Sequence, residues 1–185
     1  RFDDSNLQVE DGFVAYNNLQ ADKVIFCNGT QSSESKWFGW VPVIPLKGET
    51  LTIRSVELEN QVINRGVYMV PQKDGSYNVG ATYELKDLSQ RNTEKGKAEL
   101  IEKLKMVIDF EVEVTGQNWG MRPTTRDRRP IVGLHPLHGR LVFFNGMGTK
   151  GVSISPYFAK VLTNWLENGD ALNKEVGISR YKFVN

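Results

Sequence analysis

Two short stretches hold residues whose types and spacing could do chemistry. In "FFNGMGTKGVSISP", Gly146, Gly148 and Gly151 are spaced G-x-G-x-x-G between an apolar, strand-like run and a helix-like one. Glycines let a backbone approach a ligand closely, and a helix N-terminus offers unpaired N–H groups and positive potential. Met147, Thr149 and Lys150 therefore lie in a loop suited to an anionic or electron-rich group. A full dinucleotide unit needs a further strand after the helix, with an acid about 20 residues on. The closing "NKEVGISRYKFVN" offers no convincing buried strand, so that full unit is not expected here. The plain alternative is a Gly-rich turn with no ligand. The second stretch, "NWGMRPTTRDRRPIVG", carries Arg122, Arg126, Arg128 and Arg129. A guanidinium fork can grip a carboxylate through two parallel hydrogen bonds. On composition alone such a cluster is a solvated face.

Bulk properties narrow the classes of function. The chain has 185 residues, 39% hydrophobic and 24% charged, as expected of a globular protein able to bury a core. With 23 basic and 22 acidic residues the formal charge is only +1, so no general basic field exists and nucleic acid is not an expected partner. Cys27 is the lone cysteine, which excludes an internal disulfide and points to a reducing compartment, the cytoplasm. His135 and His138 with that one cysteine do not make a zinc set, and no metal is expected. No run approaches the roughly 20 apolar residues of a membrane span. The chain opens on "RFDDSNLQVEDG" without methionine, and the expectation is a piece of a longer protein.

The elements that must position these residues follow from periodicity and turn chemistry. "ADKVIFCNG" is a short buried strand over 24–27, stopped at Asn28-Gly29. Pro42 and Pro45 keep 41–55 extended, and beyond Gly48 the alternation of Leu51 and Ile53 with threonines marks a half-buried strand. "GVYMVPQKDGSYNVGATYE" is a hairpin turning at Asp74-Gly75. Ile101, Leu104 and Ile108 give 92–110 a helical stripe, "EVEV" at 111–114 returns to strand alternation, and "RLVFFN" at 140–145 is another buried strand. "SPYFAKVLTNWLENG" is a helix with Ser155 as N-cap, Pro156 in the first turn and Gly169 as the stop. The pattern predicts an α+β fold with an antiparallel sheet, and the two ends belonging together around an inserted middle.

In this order the segments resemble the C-terminal part of the glycine oxidase/D-amino-acid oxidase family of FAD-dependent enzymes. The motifs are "ADKVIFCNG", the P-x-K-G-E-x-L stretch beginning at Pro45, "VYMVPQKDGSYNVGAT", "GMRPTTRDRRPIVG" and "LVFFNGMGTKGVSISP". The resemblance implies an antiparallel-sheet substrate domain at 36–118, flanked at 1–35 and 119–185 by remnants of a discontinuous Rossmann-like FAD domain. The family's N-terminal dinucleotide fingerprint is not in this sequence, and the isolated chain is expected to be inactive and to lack the main seat for FAD. By position, Arg122 matches the arginine that pairs with the substrate carboxylate. Tyr68 and Tyr83 match substrate-pocket positions, against the plainer alternative of ordinary strand packing. Gly29, Gly146, Met147, Gly148, Thr149, Lys150 and Gly151 match cofactor-side segments, with backbone N–H groups near the flavin's pyrimidine edge. Gly120 stands where the sarcosine-oxidase branch has its flavin-linking cysteine, so noncovalent FAD is expected. Arg126, Arg128 and Arg129 are expected to be turn or surface charges.

The implied reaction is oxidation of the C–N bond of a small amino acid or N-substituted amino acid. Hydride goes to flavin N5, an imino acid is the product, and O2 or another acceptor takes the electrons. No side chain is expected to act as a catalytic base. An oligomer is compatible with the sequence. The alternative is a non-catalytic domain using the 122–129 arginines to hold an acidic ligand or partner.

Overall fold

The computed structural model describes residues 2–183, and the chain divides into two units, residues 1–45 with 122–185, and residues 46–121. In the first, β1 (Leu7–Val9), β2 (Val14–Tyr16) and β3 (Leu19–Ala21) form an antiparallel meander. β4 (Val24–Phe26) follows at once. The remaining strands of this unit, β10 (Ile131–Leu134) and β11 (Leu141–Asn145), join β4 in the order β10-β11-β4, antiparallel then parallel.

Strand alternation gives this small sheet two apolar faces. Ile131, Leu141, Phe143 and Phe26 pack with Phe38 and Val41. Val132 and Val142 pack with Leu162, Trp165 and Leu166 of α2 (Gly151–Asn168). The helix starts at Gly151 rather than at a Ser155 cap, because the glycine loop runs straight into its first turn and Pro156 is taken inside it. Its stop is as expected, with Gly169 left-handed at φ 73°. The tail expected to hold no buried strand does hold a single parallel bridge, Gly177 to Val132, with Val176 and Ile178 buried on either side.

The middle unit holds most of a five-stranded sheet ordered β6-β7-β8-β5-β9, built from β5 (Ile44–Arg54), β6 (Ile63–Asn64), β7 (Tyr68–Pro71), β8 (Tyr77–Gly80) and β9 (Glu113–Thr124); the first two residues of β5 and the last three of β9 belong to the first unit. β7 and β8 form the expected hairpin, with Asp74 Oδ1 accepting from the Ser76 N–H and hydroxyl to shape its turn. One face carries Leu51, Ile53, Met69 and Val79 against Leu100 and Leu104 of α1 (Glu94–Lys105). Thr93 caps α1, accepting from the Gly96 N–H. The helix is shorter than its apolar stripe, and Ile108 packs on the same cluster from beyond its end. The strand expected at 111–114 instead runs through "GQNWGMRPT", Pro123 included. It lies at the sheet's edge and Pro123 near its end, where a missing N–H costs no ladder bond.

Candidate functional site

β4 and β11 are parallel, so their carboxyl ends open on the same edge, the place where open α/β sheets bind ligands. Two loops leave that edge, one through Gly29 and one through Gly146, Met147, Gly148, Thr149, Lys150 and Gly151. Asn145, buried at 3% exposure, stitches them together. Its Nδ2 donates to the Gly29 carbonyl at 2.9 Å, and its Oδ1 accepts from the Gly146 N–H at 2.8 Å. Gly146 and Gly148 are both left-handed, at φ 74° and 58°, and a Cβ at Gly146 would meet Thr125 Cγ2 at 2.8 Å. Thr149 and Lys150 are exposed, and the loop passes directly into α2, whose 18 residues present a full helix N-terminus.

Beside the β4 end lies a cavity of about 550 Å³, lined among others by Asp3, Asp4, Asn28, Gln31 and Glu34. The Asn28 Oδ1 is buried with no hydrogen-bond partner among the described residues. An orphaned acceptor, a glycine cradle and a helix N-terminus at one strand edge suit a ligand with both donor-bearing and electron-rich parts, as a dinucleotide cofactor has. Asn145, Thr125 and Asn28 were not singled out from the sequence. The only local signal for Asn145 is a polar residue closing an otherwise apolar strand immediately before glycine.

Arg122 belongs to the same unit as these loops. It is half-buried, whereas Arg126, Arg128 and Arg129 are exposed. A Cβ at Gly148 would lie 3.7 Å from Thr124 Cγ2, and period-2 alternation puts Arg122 on the Thr124 side of β9. The other three arginines occupy a turn closed by Arg128 N–H to Thr125 C=O at 3.1 Å and by Thr125 Oγ1 to Arg129 C=O at 2.8 Å. Arg180 clamps it, with Nε donating to Asp127 Oδ2 at 3.1 Å and Nη2 to the Arg129 carbonyl at 3.2 Å. Burial works to raise the Asp127 carboxyl, but the Arg129 N–H, Thr125 and Arg180 outweigh it and hold its pKa below the usual value. Arg129 also pairs with Glu175 at 3.2 Å.

Tyr68 and Tyr83 belong to the middle unit. Tyr68 lies across from Gly80 in the β7–β8 register, and a Cβ on Gly80 would be 2.6 Å from the Tyr68 hydroxyl. The tyrosine thus covers the face of the sheet opposite α1. Tyr83 is 64% exposed, in the segment just beyond β8. Among the described residues no group of three or more His, Cys, Asp or Glu could hold a metal, and no helix is long and apolar enough to cross a membrane.

The FAD dependent oxidoreductase family model matches residues 4–165. Glycine oxidase of Bacillus licheniformis is 31% identical over 145 residues, covering 71% of this chain and 39% of that protein. Among solved structures, glycine oxidase from Geobacillus kaustophilus superposes with a TM-score of 0.77 at 19% identity, over 96% of this chain and 52% of that one. Iminodiacetate oxidase from a Chelativorans species gives 0.74 at 23%, over 95% and 51%. The chain thus spans about two-fifths of that curated relative and about half of each solved structure. A match over most of the chain, a relative this similar and one shared fold lead to the same place: the chain belongs to the FAD dependent oxidoreductase family.

Proposed function

We propose that the chain is part of an FAD-dependent oxidase or dehydrogenase of a small amino acid or N-substituted amino acid. The observation that carries this reading is the stitched strand edge, where Gly29 and the Gly146 loop meet through Asn145 beside the Arg122 strand. Residues 1–35 and 119–185 serve as FAD-domain pieces and 36–118 as the substrate domain. Gly29, Asn28 and the loop N–H groups from Gly146 to Gly151 would hold the cofactor noncovalently. When bound, FAD supplies the two-electron oxidation of the C–N bond. This chain's residues bind and orient. Arg122 takes the substrate carboxylate through a bidentate fork, Tyr68 and Tyr83 bound the pocket, and the helix N-terminus of α2 stabilises negative charge beside the loop. The names of the relatives support the substrate class, since glycine and iminodiacetate each carry an amine one carbon from a carboxylate.

The test is a screen of small amino acids and N-substituted amino acids on the purified full-length protein. Peroxide release and bleaching of the flavin band are followed together. Bleaching with peroxide identifies an oxidase, and bleaching without it a dehydrogenase. A protein with no flavin absorbance, or one no amine reduces, sinks the proposal.

A further inference from the structure

The middle unit buries a charged pair to which the reading above gives no role. Lys47 is 0% and Glu49 3% exposed, and Lys47 Nζ lies 3.4 Å from Glu49 Oε1. Taking both charges out of water is costly, and apolar side chains of similar volume often stabilise a core as well or better. Stability alone is therefore a poor reason for the pair.

Its contacts supply another. Between β8 and α1 the chain runs irregularly over residues 81–93, with one bridge, Lys47 to Glu84. Lys47 and Glu84 exchange backbone bonds of 3.0 and 2.9 Å. Lys47 Nζ donates to Ser89 Oγ at 3.2 Å and pairs with Asp87 at 3.4 Å. Glu49 N–H donates to Thr82 Oγ1 at 2.8 Å, and Thr82 N–H donates back to the Glu49 carbonyl at 3.1 Å. The Glu49 carboxylate accepts from Thr93 N–H at 2.8 Å, Thr93 Oγ1 at 2.7 Å and Gln117 Nε2 at 2.6 Å. Gly96 leaves it room, since a Cβ there would sit 2.7 Å from Glu49 Cδ. The start of one irregular segment is thus fastened to the main chain of Lys47 and Glu49, and its middle and end to their side chains.

Tyr83 stands between the Thr82 and Glu84 anchors. Lys47 and Glu49 share the α1 face of β5 with Leu51 and Ile53, so alternation across the bridge turns Tyr83 to the other face, the one Tyr68 covers. We propose that Lys47 and Glu49 are positioning residues, which act through the 81–93 segment to hold Tyr83 where substrate meets it. This rests on the reading of Tyr83 as a pocket residue. Thr93 and Gln117 complete the clamp from the helix cap and from β9.

The test uses the full-length, flavin-loaded protein labelled with 3-fluorotyrosine, with glycine and iminodiacetate as probe substrates. The Tyr83 fluorine line is assigned from its loss in Tyr83→Phe. Lys47→Met, Glu49→Gln and the double variant are compared with Asp87→Asn, which loosens only the middle of the segment. The expected result is a displaced or broadened Tyr83 line in all four. In the first three, KM rises about tenfold or more with kcat within about threefold, as for a misplaced binding group. The double variant leaves no uncompensated buried charge, so it recovers the thermal midpoint without recovering KM. If the single variants fail to fold, the double variant and Asp87→Asn carry the test. A Tyr83 line at its wild-type position, or a KM that recovers along with the midpoint, overturns the proposal. A displaced line with wild-type KM overturns it as well, because Tyr83 then has no part in meeting the substrate. A wild-type protein that oxidises no amine defeats the functional reading instead, while the fluorine result still judges the clamp.

Discussion

At Gly146 a methyl group has nowhere to go. The backbone is left-handed at φ 74°, and the added carbon would press on Thr125 Cγ2 at 2.8 Å and Ile131 Cγ1 at 3.3 Å, both in a packed interior. Gly146→Ala should therefore combine a backbone penalty with a steric one, about 2 kcal/mol or more together. A lowered denaturation midpoint with loss of bound flavin on gel filtration is the expected pair of results, and wild-type values for both would show that the cradle is not tight. Arg122 invites a different measurement. If its fork holds a carboxylate, Arg122→Ala removes about 3 kcal/mol of charged pairing and raises KM by about 10²-fold. Arg122→Lys keeps the charge but not the second parallel bond, so it should fall between the two. Unchanged kinetics in Arg122→Ala would take Arg122 out of the binding role. Arg129→Ala, which loses only an exposed pair, should change little.

The elements around the site depend on how strand ends are joined. Asn145 is the only described side chain bonded to both Gly29 and Gly146, so Asn145→Leu strands the Gly146 N–H where the strands open and leaves the Gly29 carbonyl with the Ser32 hydroxyl alone. The expected cost is about 2 kcal/mol, seen as a lower urea midpoint with the slope unchanged. A midpoint equal to wild type would mean that water replaces both bonds. This junction also marks how far the sequence was legible. Asp74-Gly75, the α1 stripe and the run into Asn145 encode their structure within a few residues, so their elements could be read directly. The α2 start could not be, because a serine followed by proline imitates a cap while the true start is set by glycines further back. β9 was hidden for a related reason. Pro123 and the arginines look like loop chemistry until the strand is known to lie on a sheet edge. The small meander of β1, β2 and β3 has strands too short to show a period. At the site, the glycine spacing and Arg122 stood out by residue type, whereas Thr125 matters through its contact with Gly146, distant in sequence, and Asn28 through a buried oxygen that only the fold reveals.

For the molecule as a whole, the two units carry different titrating groups, and acid should distinguish them. In the unit of residues 1–45 and 122–185, His135 is 6% exposed, edge-on to Phe38 and Trp37, and its Nδ1 accepts from the Leu137 N–H at 3.2 Å. Burial pushes its pKa down and His138, with its ring centre 4.9 Å away, adds to that, against a smaller upward pull from the Trp37 carbonyl. A histidine depressed in the folded state binds fewer protons than its unfolded counterpart. Its contribution is therefore whole above about pH 6.5 and is lost as pH falls towards the folded value. The middle unit has no histidine. Its shifted acids include Asp74, lowered by the Ser76 hydroxyl and N–H, Glu84, held to about 2 by Lys95 and the Lys86 N–H, and Asp87, held to about 2 by the Ser89 hydroxyl and N–H and by Lys47. Burial works to raise Glu49, but its bonds from Thr93, Gln117 and Lys47 hold it below the usual value. Depressed carboxylates give stability that is present above about pH 4 and lost only as pH drops towards 2. Hydrogen exchange at pH 7.5, 5.5 and 3, corrected for intrinsic rates, should show peptides over β10 and β11 losing protection by pH 5.5. Peptides over β5, β7 and β8 should keep theirs until the lowest pH. His135→Phe should remove the first step, since it keeps an aromatic ring without a proton to bind. Simultaneous loss of protection in both units, or a first step that survives His135→Phe, would refute the assignment of that step to His135.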